Sequence, residues 1–94
     1  MLLSRETDLY KRAIGIKGTT HQLGKLIEEM GELIVEVQRA INADTRASRP
    51  NILDERIDVE QTLKYIDIAF GFTDEELERK RAEKQKKLAD QLGL

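Results

Sequence analysis

Cysteine and tryptophan are absent from the sequence, and proline and histidine each occur once. Without cysteine there is no disulfide framework, no thiolate zinc site and no cysteine nucleophile. The lone His21 excludes zinc sites that need two histidines and argues against a histidine-based triad. No 18-residue apolar run is present, so no membrane span is expected. The opening Met1-Leu2-Leu3-Ser4-Arg5-Glu6 lacks a basic region followed by an apolar stretch, so no signal peptide and a cytoplasmic location are expected. Nor does charge of one sign dominate. Lysine and arginine number 16 against 18 acidic residues, a net charge of −2 in a chain that is 36% charged. That balance argues against a general nucleic-acid binder, which is ordinarily strongly basic.

Ninety-four residues are enough for one domain, residues 1–94. A chain this short buries only about 60% of the surface its unfolded form exposes, so partner chains or a bound ligand are expected to complete it. One proline and four aromatic residues suit helices better than strands. The expected fold class is all-α, a compact bundle of about four helices completed by oligomerisation.

The first helix is placed at roughly residues 4–14, opened by Ser4. The second runs from Thr19 or Thr20 to Ile41, where Leu23, Ile27, Met30, Ile34, Val37 and Ile41 step by 4, 3, 4, 3 and 4 in a helical stripe. The third opens after Ser48-Arg49, carries Ile52, Val59, Leu63, Ile66 and Phe70 on one face, and stops at Gly71. The fourth begins at a capping box, Thr73 with Glu76, and ends near Leu92. Leu53, Ile57 and Ile68 form a second apolar strip on the third helix. Either another subunit or the fourth helix, through Leu77 and Leu88, covers that strip.

Two carboxylate pairs share a three-residue spacing, Glu29 with Glu32 on the second helix and Glu55 with Asp58 on the third. Lys25 is the only basic residue three or four positions from either member of the first pair, which leaves Glu28, Glu29, Glu32 and Glu36 an under-compensated acidic stripe. Spacing alone fits solvated acidic faces. It also fits a site for a hard divalent ion such as Mg²⁺, which takes oxygen ligands and cancels the repulsion between converging carboxylates. The basic run from Arg79 to Lys87 likewise has two readings. It is a solvated helix end, or a grip on a phosphate through Lys84 or Lys87.

Glu28-Glu29-Met30-Gly31-Glu32-Leu33 followed by Glu55-Arg56-Ile57-Asp58 resembles the MazG-like all-α nucleoside triphosphate pyrophosphohydrolases, whose signature is EExxE on one helix and ExxD on the next. A looser similarity continues through Phe70-Gly71-Phe72-Thr73 to Lys84 and Lys87, so that the resemblance covers roughly residues 18 to 88. It implies a helical homodimer or homotetramer that cleaves the α–β phosphoanhydride of a nucleoside triphosphate with Mg²⁺ or Mn²⁺, releasing nucleoside monophosphate and pyrophosphate. Carried over residue by residue, it makes Glu29, Glu32, Glu55 and Asp58 the metal ligands. Glu28 or Glu29 orients the attacking water, and Lys84 and Lys87 hold the phosphate chain. It implies neither a nucleic-acid nor a membrane partner. Two features depart from the pattern. From Lys11 to Gln22 only His21 offers a flat ring for a base. Gly31 interrupts the acidic helix at a cost of up to about 1 kcal/mol relative to Ala, either to admit another helix or at the expense of ligand geometry. A reading from another class, a non-catalytic helical adaptor, explains the apolar stripe equally well but leaves the two carboxylate pairs unexplained.

Overall fold

The computed structural model describes residues 2–94, with side chains from Glu6 onward. Four helices follow one another: α1 (Leu2–Lys17), α2 (Thr19–Ile41), α3 (Arg49–Ala69) and α4 (Asp74–Gln91). No strand occurs among the described residues, and no helix there is long and apolar enough to cross a membrane. The fold class is therefore all-α, as the composition suggested.

Local chemistry accounts for each boundary. A single residue, Gly18, separates α1 from α2. Its φ of 93° lies in a region that costs a residue with a Cβ, and its N–H still donates to the Ile14 carbonyl at 2.7 Å. The chain thus doubles back without a loop. The α3 N-cap is Ser48, whose hydroxyl accepts from the Asn51 N–H at 3.2 Å, with Pro50 in the first turn where no donor is needed. At the far end Gly71 takes φ 66°, and the Gly71 and Phe72 amides donate to the Ile68 and Asp67 carbonyls, a Schellman motif. The Thr73–Glu76 capping box starts α4 as the sequence indicated. The first helix begins at Leu2, two residues before the Ser4 expected to open it, and runs on to Lys17.

The α2–α3 connection is fixed by an ion pair inside the loop. Arg46 forks onto Asp44 through Nε–Oδ1 at 3.1 Å and Nη2–Oδ2 at 2.7 Å, and its backbone N–H donates to the same carboxylate at 2.8 Å. These bonds hold the Asp44 carboxyl down at about 2.

Close packing joins three helices, while Asp74, Leu77 and Arg81 in the first turns of α4 only line a cleft with α1 and α3. α2 and α3 form an antiparallel hairpin, and α1 lies against both, held to α3 by an edge-to-face contact of Tyr10 on Tyr65 with centroids 5.6 Å apart. Tyr10, Leu26, Gln22 and Thr62 are the buried residues, and none of the described side chains is fully enclosed. Among the described residues, no Cα of α4 lies within 8 Å of a Cα in another helix. The radius of gyration is 16.2 Å, against about 12 Å for a compact chain of this length. Instead of the compact four-helix bundle expected, the chain is a three-helix unit with α4 as an arm. Of the second strip on α3, Leu53 and Ile57 are exposed, while Ile68 is half-buried and lines a cleft with Leu77 of α4.

α2 turns most of its apolar stripe away from the other helices. Its inward residues are Gln22, Leu26, Glu29, Leu33 and Glu36, while Ile27, Met30, Ile34, Val37 and Ile41 of the apolar stripe face outward. The acidic side of the helix meets α3.

Candidate metal centre

Because α2 turns its acidic side to α3, side chains from the two helices meet over the hairpin. One carboxylate oxygen from each of Glu29, Glu32 and Glu55 falls within 4.8 Å of the others. Glu29 and Glu32 come from successive turns of α2, and Glu55 reaches across from α3. Glu29 and Glu55 are half-buried, and Glu32 is exposed. In both half-buried groups Oε2 is shut off from solvent and has no hydrogen-bond partner, and the same holds for Glu36 Oε2 one turn further along. No lysine or arginine pairs with Glu29, Glu32, Glu55 or Asp58 among the described residues. The nearby cations are engaged elsewhere, Lys25 with Glu28 at 3.7 Å and Arg39 with Glu36 at 3.0 Å.

Uncompensated charge perturbs these groups as electrostatics requires. Loss of hydration pushes the Glu55 carboxyl up to about 7, helped by the charge of Glu32 and a hydrogen bond to it, and by the charges of Glu29 and Asp58. Glu29 is raised as well, first by burial and then by Glu32 and Asp58. A buried acceptor with no donor is costly. Two residues of one carboxylate cluster that each carry such an acceptor fit a hard divalent cation, which binds oxygen ligands and removes the repulsion.

Three of the four metal ligands implied by the resemblance therefore converge. Asp58 stands close enough for its charge to raise both Glu29 and Glu55, but outside the trio itself. Glu28 is exposed, paired with Lys25, and likewise outside the trio. Lys84 and Lys87 are exposed on α4, and since that helix does not return to α2 or α3 they lie apart from the carboxylates of their own chain.

A cleft of about 620 Å³ adjoins the cluster, with Glu29 belonging to both and Asp58 lining the cleft. Its other walls are Leu9, Ala13 and Ile16 of α1 and Gln61, Thr62 and Tyr65 of α3. Arg12, Lys17 and Lys25 line it too, and neither Arg12 nor Lys17 forms a salt bridge among the described residues. Gln22 is only 6% exposed yet reaches this cleft. The Thr62 hydroxyl is spent on its own helix, donating to the Val59 carbonyl at 2.9 Å. Sequence reasoning passed over Arg12 and Lys17. The signal available was Gly18, since a break of one residue folds the basic end of α1 back beside the start of α2. No protein-family model matches the sequence, and no curated protein or solved structure matches it.

Proposed function

We propose that this chain is a Mg²⁺-dependent nucleoside triphosphate pyrophosphohydrolase, with Mn²⁺ as an alternative metal. The observation that carries the reading is the convergence of Glu29, Glu32 and Glu55, two of them with buried, unpartnered oxygens, beside a cleft lined by Arg12 and Lys17, which form no salt bridge among the described residues. The order of the acidic residues, EExxE and then ExxD on consecutive helices, is the second support, through its resemblance to the MazG-like enzymes.

Glu29, Glu32 and Glu55 would hold the metal, with Asp58 adding negative charge beside them. The bound cation supplies positive charge that neutralises phosphate oxygens as the anhydride breaks. Glu29 alone of the trio also lines the cleft, so it is placed to orient a water toward a phosphate chain lying there. Its raised affinity for a proton suits it to accept one from that water. Arg12, Lys17 and Lys25 offer donors to the phosphates, and the cleft volume is in the range that encloses a nucleotide-sized ligand. Water attacks phosphorus, the α–β anhydride bond breaks, and the products are nucleoside monophosphate and pyrophosphate.

The test is a panel of nucleoside triphosphates incubated with the protein and Mg²⁺, with product identification. Monophosphate and pyrophosphate are expected. Diphosphate with orthophosphate would overturn the reading. No turnover of any nucleotide would favour a non-catalytic helical adaptor, a reading to which the bare apolar face of α2 lends itself.

A further inference from the structure

The wall of the cleft beside the carboxylates holds a side chain that nothing inside the chain explains. Gln22 is only 6% exposed, yet its amide makes no hydrogen bond among the described residues. Its oxygen and nitrogen are not shut off from solvent in the way that Glu29 Oε2 and Glu55 Oε2 are, because they open on the cleft. Burying an amide without a partner is costly, and most buried polar groups have one. A leucine would fill the same space without that cost. The cleft side of Gln22 is thus suited to a hydrogen-bonding group that comes from outside the chain.

Its neighbours select the kind of group. Gln22, Lys25 and Glu29 line the cleft in that order along α2. Gln22 precedes Glu29 by seven residues, two turns on one face, so the amide stands about 10 Å along the helix from the carboxylate cluster. The span from an α-phosphate across a pentose to the edge of a base is of that order. From α3 comes Tyr65, whose half-buried ring lines the same cleft and is held edge-to-face by Tyr10 at 5.6 Å. The flat ring that the segment ahead of the acidic helix offers only as His21 is therefore present on another wall. An amide carries a donor and an acceptor side by side, and a base edge presents the same two in reverse.

We propose that Gln22 and Tyr65 form the base-reading end of the cleft, Gln22 bonding the edge of a nucleobase through both ends of its amide and Tyr65 packing on the ring. The inference rests on the pyrophosphohydrolase reading for its phosphate end. It adds what the site selects: a nucleotide with an intact base that carries a donor beside an acceptor, in preference to a base-less sugar triphosphate. A site whose buried polar group is left without a partner discriminates against the ligand that lacks the matching group. A base-less ligand still meets Arg12, Lys17 and the carboxylate-bound metal, so the discrimination falls to Gln22 and Tyr65.

Two measurements on the full chain test it. In steady-state hydrolysis with Mg²⁺, the preferred nucleoside triphosphate is expected to exceed base-less ribose triphosphate in kcat/KM by about tenfold or more, since two hydrogen bonds and a ring contact are at stake. Gln22→Leu keeps the bulk of the side chain and removes both hydrogen-bonding ends. It should lower the nucleotide value by about tenfold and leave the ribose triphosphate value where it was. Tyr65→Leu should act in the same direction. Nuclear magnetic resonance of the Gln22 side-chain amide in the metal-free wild type reads the base site without hydrolysis. Its signals should move with a nucleoside monophosphate and stay in place with ribose phosphate. If no triphosphate is hydrolysed while the amide still responds, the hydrolase reading fails and the base site stands. An amide unmoved by every nucleoside monophosphate would overturn the proposal, whatever the variants do. So would a nucleotide-to-ribose ratio that folded Gln22→Leu leaves unchanged, which would make Gln22 a group satisfied by water alone.

Discussion

Glu29 and Glu55, on successive helices, each turn one carboxylate oxygen into a place without solvent and without a hydrogen-bond donor. They do so within reach of each other and of Glu32. Neighbouring acids at that distance repel, and the repulsion sets what the fold does when protons or cations are supplied.

Mg²⁺ should therefore raise the melting temperature of the protein, with a shift that grows with concentration by mass action. Glu55→Gln keeps the shape of the side chain but removes a charge, so it should shrink that shift and raise the melting temperature of the metal-free protein. On the enzymatic reading it also abolishes hydrolysis. Glu60→Gln is the control. It breaks only an exposed pair with Arg56 at 3.2 Å, worth roughly 0–1 kcal/mol. Thermal melts of the three proteins, with and without Mg²⁺, measure both effects. An equal Mg²⁺ response in wild type and Glu55→Gln would remove the metal centre.

Stability of the metal-free protein should fall between about pH 4.5 and 7. Glu55 is raised from 4.5 to about 7 and Glu29 is raised in the same direction. In this window the folded chain holds more protons than the unfolded chain, so the free energy of unfolding drops as pH rises. The contribution is complete below the ordinary carboxyl value and lost above the raised one. Asp44 has the opposite sign, because its depressed value makes its contribution fade as pH falls from 3.8 toward 2. Urea titrations at pH 5 and pH 8 should show the metal-free protein more stable at pH 5. Mg²⁺ should help more at pH 8, where no proton competes for the carboxylates.

How much of this could be read in the sequence differs by element. The boundaries of α2, the Ser48 start of α3 and the Thr73–Glu76 capping box are local events decided within a few residues, and all were legible. The direction of α2 was not. The 4-3-4-3-4 stripe reads as the side that packs in the chain, yet that side is exposed and Glu29 and Glu36 lie inward. Hydropathy reports how apolar a helix face is and says nothing of which chain covers it. The place of Lys84 depended on the exit angle after Gly71, which no periodicity on α4 encodes. The three-residue spacing of Glu29 and Glu32 did foretell that both would reach one patch, while their meeting with Glu55 rested on the pairing of α2 with α3.

One backbone position can be improved. Ala43 sits at φ 52°, the place after the α2 C-cap that glycine ordinarily fills, and the Asp44 and Ala43 amides close a Schellman motif on the Arg39 and Ala40 carbonyls. A Cβ in that conformation costs about 1 kcal/mol. Ala43→Gly should then stabilise the protein by up to about 1 kcal/mol and raise the denaturation midpoint in urea, with the slope unchanged. A lower midpoint would show that chain entropy at this site outweighs the strain.

The cations that meet the substrate should be those of the cleft. Arg12 and Lys17 line it beside Glu29 and have no carboxylate partner among the described residues, whereas Lys84 and Lys87, further along α4, do not line it. A hydrogen bond to a charged group contributes roughly 1.5–3 kcal/mol, so removing one such donor should weaken nucleotide binding by about 10- to 100-fold. Arg12→Ala and Lys17→Ala should raise KM by that order and leave kcat within a few-fold, because the phosphate chain is gripped in the ground state and the transition state alike. Lys84→Ala and Lys87→Ala should leave both parameters near the wild-type values. Steady-state kinetics on the four variants separates the cases. A loss confined to the two α4 variants would mean that the arm of another copy covers the cleft and supplies the grip.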